Sequence, residues 1–144
     1  MKLLKIFPAL LFMILIFGEN SFGQTKQIGI TVKDIDEVKG QLIAFIYNKE
    51  ELFPKEGKYY KMLKFPVTGK ETVITIKDLP VQDYAIFICH DSDNNGKCNQ
   101  NWVGIPSEKI AFSNNVKPKM KAPSFKEARI PAEKNNIVIN LYYY

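Results

Sequence analysis

Apolar positions in this chain recur mostly with a period of two. Ile28, Ile30 and Val32 alternate with Gly29, Thr31 and Lys33. That is the pattern of a half-buried strand, because successive side chains of an extended backbone point to opposite sides. Ile74 and Ile76 alternate in the same way with Thr75 and Lys77, and Ile137, Ile139 and Leu141 with Val138 and Asn140. Two continuous apolar runs, Leu42 to Tyr47 and Tyr84 to Cys89, are rich in aromatic and β-branched residues and predict strands covered on both faces. Phe65 to Val67 and Ala128 to Ile130 are weaker strands that end at or contain proline, so they suit sheet edges. Glu37 to Gly40 is expected to join the first two strands tightly, and Thr68-Gly69-Lys70, Leu79-Pro80 and Asn95-Gly96 mark further turns. Only Glu50 to Met62 has the apolar residues for a short helix, and Pro54 and Gly57 interrupt it. The expected fold is all-β, a single antiparallel sandwich of about seven strands or a small barrel. Val103 to Lys126 stands apart as one long irregular loop, with three prolines, and Trp102, Ile105, Ile110, Phe112 and Phe125 are the apolar anchors expected to pin it to the surface.

The N-terminus changes the picture of where the chain works. Lys2 and Lys5 precede an apolar run from Ile6 to Phe17, and Ser21-Phe22-Gly23 follows. Basic, apolar and small-residue segments in that order predict a signal peptide over residues 1–23, cleaved after Gly23. The run is shorter than the roughly 20 residues a membrane span needs. The mature chain is then one domain over residues 24–144, without a transmembrane span, exported to the periplasm or the exterior.

Charge excludes one class of partner. The whole chain carries +5, and cleavage would remove two lysines and one glutamate. Arg129 is the sole arginine, whereas nucleic-acid surfaces use arginine for bidentate contacts and base stacking. The lysines are scattered apart from a loose group at Lys117, Lys119 and Lys121, and read as solvated surface. Both cysteines, Cys89 and Cys98, fall in the exported part, where an oxidising compartment permits a bridge; two separate thiols are the alternative.

The sharpest local motif is Asp91-Ser92-Asp93-Asn94-Asn95-Gly96-Lys97-Cys98-Asn99. Its opening matches the first half of a calcium loop, with oxygens expected from Asp91, Asp93, Asn95, the carbonyl of Lys97 and Asn99. The twelfth position is Trp102, so the usual glutamate is missing. Any Ca2+ affinity should therefore be weak, about 10⁻⁴–10⁻³ M. The alternative is a loop whose Asp and Asn side chains satisfy their own backbone. His90, the only histidine, and the group Ser113, Asn114 and Asn115 are candidate ligand-binding residues; the alternative for each is a hydrogen bond to loop backbone. No catalytic residue is assigned, since neither Ser113 nor Ser124 sits in a Gly-x-Ser-x-Gly elbow.

Taken together, Leu79-Pro80, Tyr84-Ala85-Ile86, His90-Asp91, Gly104-Ile105-Pro106, Phe112-Ser113-Asn114-Asn115 and Pro123-Ser124-Phe125 closely resemble the bacterial exported family known as domain of unknown function 2141. The resemblance runs from the Ile28 strand to Leu141. It implies a transthyretin-like or immunoglobulin-like β-sandwich outside the cytoplasm, and no reaction. Cys89, Cys98 and Asn99 depart from the family pattern, the last where an aspartate is common. The functional expectation is a non-catalytic binding module for an unknown small molecule or envelope protein. Its site would lie between the Asp91–Asn99 and Val103–Lys126 loops. A secreted hydrolase using His90 and Asp91, and a purely structural envelope protein, are the alternatives.

Overall fold

Period-two burial builds two sheets that face each other in a computed structural model describing residues 23–144. The segment read as a signal peptide lies outside those residues except for Gly23. The first sheet has the order β4-β1-β8, from β1 (Thr25–Lys33), β4 (Thr72–Pro80) and β8 (Asn136–Asn140). The second has the order β3-β2-β5-β6, from β2 (Gln41–Tyr47), β3 (Lys61–Pro66), β5 (Tyr84–Asp91) and β6 (Ile110–Phe112). A short β7 (Arg129–Ile130) pairs with the start of β5 beside β6. The predicted all-β sandwich is therefore observed, with eight strands.

The core fills the space between the sheets. Ile28, Ile30 and Val32 of β1 and Ile137 and Ile139 of β8 meet Leu42, Ala44 and Ile46 of β2 and Tyr84, Ile86 and Ile88 of β5. Burying each such aliphatic side chain contributes roughly 1.5–3 kcal/mol. The phase of β4 shifts by one residue between Ile76 and Leu79, because a bulge opposite Lys26–Ile28 adds a residue there and Asp78 turns to φ 58°. Both sides of the bulge thus present apolar residues to the core. Ile35, also buried, plugs the crossing between β1 and β2. That crossing joins two different sheets, whereas the sequence suggested a tight connection.

Three further elements differ from expectation. β8 pairs parallel to β1, from Gly29↔Asn136 to Lys33↔Asn140, because the chain reaches β8 by crossing over from β7 in the other sheet rather than by a hairpin. The segment Glu50 to Met62 holds a 3₁₀ turn at Glu50–Leu52 and the start of β3 instead of an α-helix. The supposedly irregular Val103–Lys126 stretch contains β6, whose three residues are too few to show a period, and ends in the α1 turn (Phe125–Ala128). Ser124 and Glu127 form a capping box at the start of α1, a signal that was present in the sequence.

Because β2 and β5 are central, their odd-numbered residues face away from the main core. Tyr47, Ala85, Cys89, Ile110 and Phe112 form a second apolar layer there, with Phe53 and Ala128 packed over it. This outer layer is where the loops converge.

Candidate functional site

The Asp91–Asn99 loop starts at the end of β5 and doubles back through left-handed residues at Asn94 and Gly96. The turn brings the amides of Asn95 and Gly96 onto Asp91, at 3.0 Å to Oδ1 and 2.7 Å to Oδ2. Gln41, opposite Asp91 in the β2–β5 pair, donates its Nε2 to Oδ2 at 2.7 Å. Asp91 is fully buried. Burial alone would raise its pKa, but the hydrogen bonds from Gln41, Gly96 and Asn95 outweigh it and hold the carboxyl below its ordinary value.

Asp93 accepts from the Asn95 amide at 3.1 Å and from the side-chain amides of Asn95 and Asn99 at 3.0 and 2.9 Å. Asn95 Oδ1 accepts from the Lys97 amide at 2.9 Å, and Asn99 Oδ1 accepts from Asn95 Nδ2 at 2.8 Å. The loop thus has a complete internal hydrogen-bond network.

One participant was not foreseen. Glu108, buried just before β6, accepts from the amides of Ser92 and Asn99 at 3.0 and 2.9 Å. Asp91, Asp93 and Glu108 each place a carboxylate oxygen within 4.8 Å of the others. Glu108 thereby adds a third carboxylate beside Asp91 and Asp93. Nothing in the motif's spacing signals it, because the chain first turns back on itself through a bridge between Gln100 and Pro106.

The base of the loop is tied down covalently. The sulfurs of Cys89 and Cys98 lie at bonding distance, with Cα atoms 5.9 Å apart. A bridge closing so short a loop stabilises by roughly 2–3 kcal/mol in the chain-entropy account. Bridged sulfurs offer no thiolate to a metal, so any cation chemistry here belongs to oxygen.

Of the four candidate ligand-binding residues, His90 lines a small cavity with Ser92 and Glu108, whereas Ser113, Asn114 and Asn115 hydrogen-bond to other elements. His90 lies on the opposite face of β5 from Cys89 and donates Nε2–H to the carbonyl of Lys39 at 2.9 Å. Ser113 is buried; its Oγ accepts from the Ile86 amide at 3.0 Å and donates to the carbonyl of Ala128. Asn114 donates to the carbonyls of Glu127 and Arg129 at 3.1 and 2.8 Å. Asn115 joins the carbonyl of Val138 to the amide of Asn140, at 3.0 and 2.7 Å. Together the last three fasten the end of β6 to α1, β7 and β8.

A groove opens instead over the outer face of β2 and β5. One part, about 530 Å³, lies above Phe45, Tyr59, Met62 and Phe87, and its wall is Gly96 to Gln100 of the Asp91–Asn99 loop and its continuation. A second part, about 260 Å³, lies above Phe87, Ile110 and Phe112, walled by Gly104 to Pro106 and by Pro118 and Ala122. The two parts share Pro54, Phe87 and Gln100. The floor is a row of aromatic rings: Phe45 stacks on Phe87 at 5.5 Å, and Phe87 meets Phe112 at 5.0 Å. Sequence parity could have located it, since Phe45 and Phe87 both fall on the outward phase of their strands.

No curated protein and no solved structure matches the chain. The family described as "Uncharacterized protein conserved in bacteria (DUF2141)" matches residues 30–140, the span that holds every strand except the start of β1, the carboxylate cluster and nearly all of the groove. The chain belongs to the DUF2141 family.

Proposed function

We propose that this is an exported, non-catalytic binding module that holds a small molecule in the groove above Phe87. The observation carrying this reading is the aromatic floor enclosed by the two loops singled out in the sequence. An apolar body would lie on Phe45, Phe87 and Phe112, with Gln100, Asn99 and Lys97 offering polar contacts at the rim. The basic and apolar segment of residues 1–23 supports export. The hydrolase alternative has less support, because His90 and Asp91 face opposite ways and both are engaged by the surrounding backbone. Anilinonaphthalene sulfonate, an aromatic anion, is the probe for the groove. One molecule is expected to bind per chain by calorimetry, and binding should vanish in Gln100→Trp while the melting temperature stays unchanged. Unaltered binding in that variant would move the site elsewhere.

The loop wall of the groove would be stiffened by Ca2+. Asp91, Asp93 and Glu108 are the acidic ligands, with Asn95, Asn99 and the Lys97 carbonyl as neutral oxygens, a donor set suited to a hard cation. Three carboxylates so close together repel one another, and a divalent ion would remove that repulsion. Titrating metal-stripped protein with CaCl2 should give saturable binding at about 10⁻⁴–10⁻³ M, several-fold weaker in Glu108→Gln and absent in Asp91→Ala. Silence beyond that range would make the loop a self-satisfied turn.

A further inference from the structure

Trp102, the only tryptophan in the chain and expected from the sequence to anchor the long loop, is instead the aromatic most open to solvent among the described residues. Trp102 is 96% exposed, at the tip of the turn between Gln100 and Pro106, and Val103 beside it is 53% exposed. Burial of an indole is among the largest single apolar gains a fold can make, and this fold forgoes it. A second tip repeats the pattern: Met120 is 97% exposed, midway between Pro118 and Ala122. Both tips belong to segments that line one groove. Gly104 and Ile105 on one loop, Pro118 and Ala122 on the other, and Tyr144 all line that groove. Each exposed apolar residue is within two positions of a lining residue, so about 7 Å of chain separates it from the shared rim.

Charge around the tips is one-sided. Residues 99–106 carry no ionisable side chain, and residues 116–123 carry Lys117, Lys119 and Lys121 with no acid. Lys119 and Lys121 are exposed. Lys117 lies over the ring of Tyr142 at 5.2 Å. Glu127, which lines a hollow with residues 116–123, has its carboxylate engaged by the amide and hydroxyl of Ser124. An indole, a thioether and a tyrosine in a collar of lysines is the composition of a surface that enters the headgroup layer of a bilayer. Aromatic rings favour that layer, and lysines reach its phosphates.

We propose that the paired tips at Trp102–Val103 and Met120 dock this domain on an anionic phospholipid surface. The groove reading and this one are independent, since Trp102, Val103 and Met120 do not line the groove. The chain from Gln24, which carries every residue of both apolar layers, is the material for the test, and Trp102 is its own reporter. Mixing with vesicles containing phosphatidylglycerol should shift Trp102 emission to the blue and sediment the protein with the lipid; pure phosphatidylcholine should do neither. Lys119→Gln and Lys121→Gln should each weaken the partition about five-fold, and raised salt should weaken it further. Met120→Ser should abolish the shift with the melting temperature intact. Emission unmoved by either vesicle would overturn the proposal and leave the tips to a protein partner. A blue shift that grows with protein concentration and needs no lipid would overturn it in favour of self-association. Sedimentation undiminished in Met120→Ser would overturn it too.

Discussion

Asp91→Ala is expected to destabilise the domain by about 3–5 kcal/mol, a large share of what a domain of this size has. Asp91 is fully buried and joins three donors from two elements: the Gln41 side chain on β2 and the amides of Asn95 and Gly96 in the loop. Hydrogen bonds to a charged group are worth about 1.5–3 kcal/mol each, and alanine would leave all three donors facing a void. The same carboxylate should make stability acid-sensitive. Its pKa is below the ordinary value in the folded state, for the hydrogen-bonding reasons given. The unfolded chain therefore takes up its proton first as pH falls, at about 3.9. The contribution of Asp91 is fully present above that value and disappears as pH drops through the lower folded value. Denaturant melts in chelator at stepped pH should show an acid limb that is smaller in Asp91→Asn. An identical limb in both proteins would assign the acid sensitivity to other carboxylates.

The second large effect is expected from one methyl group. Gly40→Ala should cost about 3 kcal/mol or more. Gly40 enters β2 at φ +68°, and a Cβ there would lie 2.1 Å from the carbonyl oxygen of Asp91 and 2.9 Å from the Cα of Ser92. Both neighbours are backbone, so neither can swing aside as a side chain would. Gly57 supplies the control. Its φ is +70°, yet nothing lies within 4 Å of the position a Cβ would take. Gly57→Ala should therefore show the dihedral cost alone, about 1 kcal/mol. Equal melting-temperature losses in the two variants would remove the contact from the explanation. Because the contact is with Asp91 and Ser92, Gly40→Ala should also weaken any cation binding by the loop.

How much of this was legible in the residues depended on how locally each feature is determined. β2 and β5 announce themselves because a central strand must be apolar throughout, and β1 and β8 because one face of each lies on the core. Parallel pairing of β1 with β8 leaves no mark on either strand, since alternation is the same in both directions. Ile110 to Phe112 is a strand only because β5 offers it an open edge next to β7. At the site, the Asp91–Asn99 motif was visible because its residues are contiguous, whereas Glu108 joins through a fold of the chain. Ser113, Asn114 and Asn115 illustrate the opposite difficulty. A polar run in a loop looks alike whether it faces a ligand or a carbonyl, and here its hydrogen bonds go to β5, α1, β7 and β8.

The parallel pair at β1 and β8 has a consequence for the order of events as the chain is made. β1 is the middle strand of its sheet, and Gly29 meets Asn136 while Ile30 meets Ile74. A chain emerging amino end first presents β1 long before either neighbour exists. β4 arrives to cover one edge, but the other stays open until β8 emerges. Such separation between partners makes closure slow, in the millisecond-to-second range common for β-sandwiches. The three-stranded sheet can therefore be completed only once β8 has followed β1 out, with Asn136 paired to a residue as distant in the chain as Gly29.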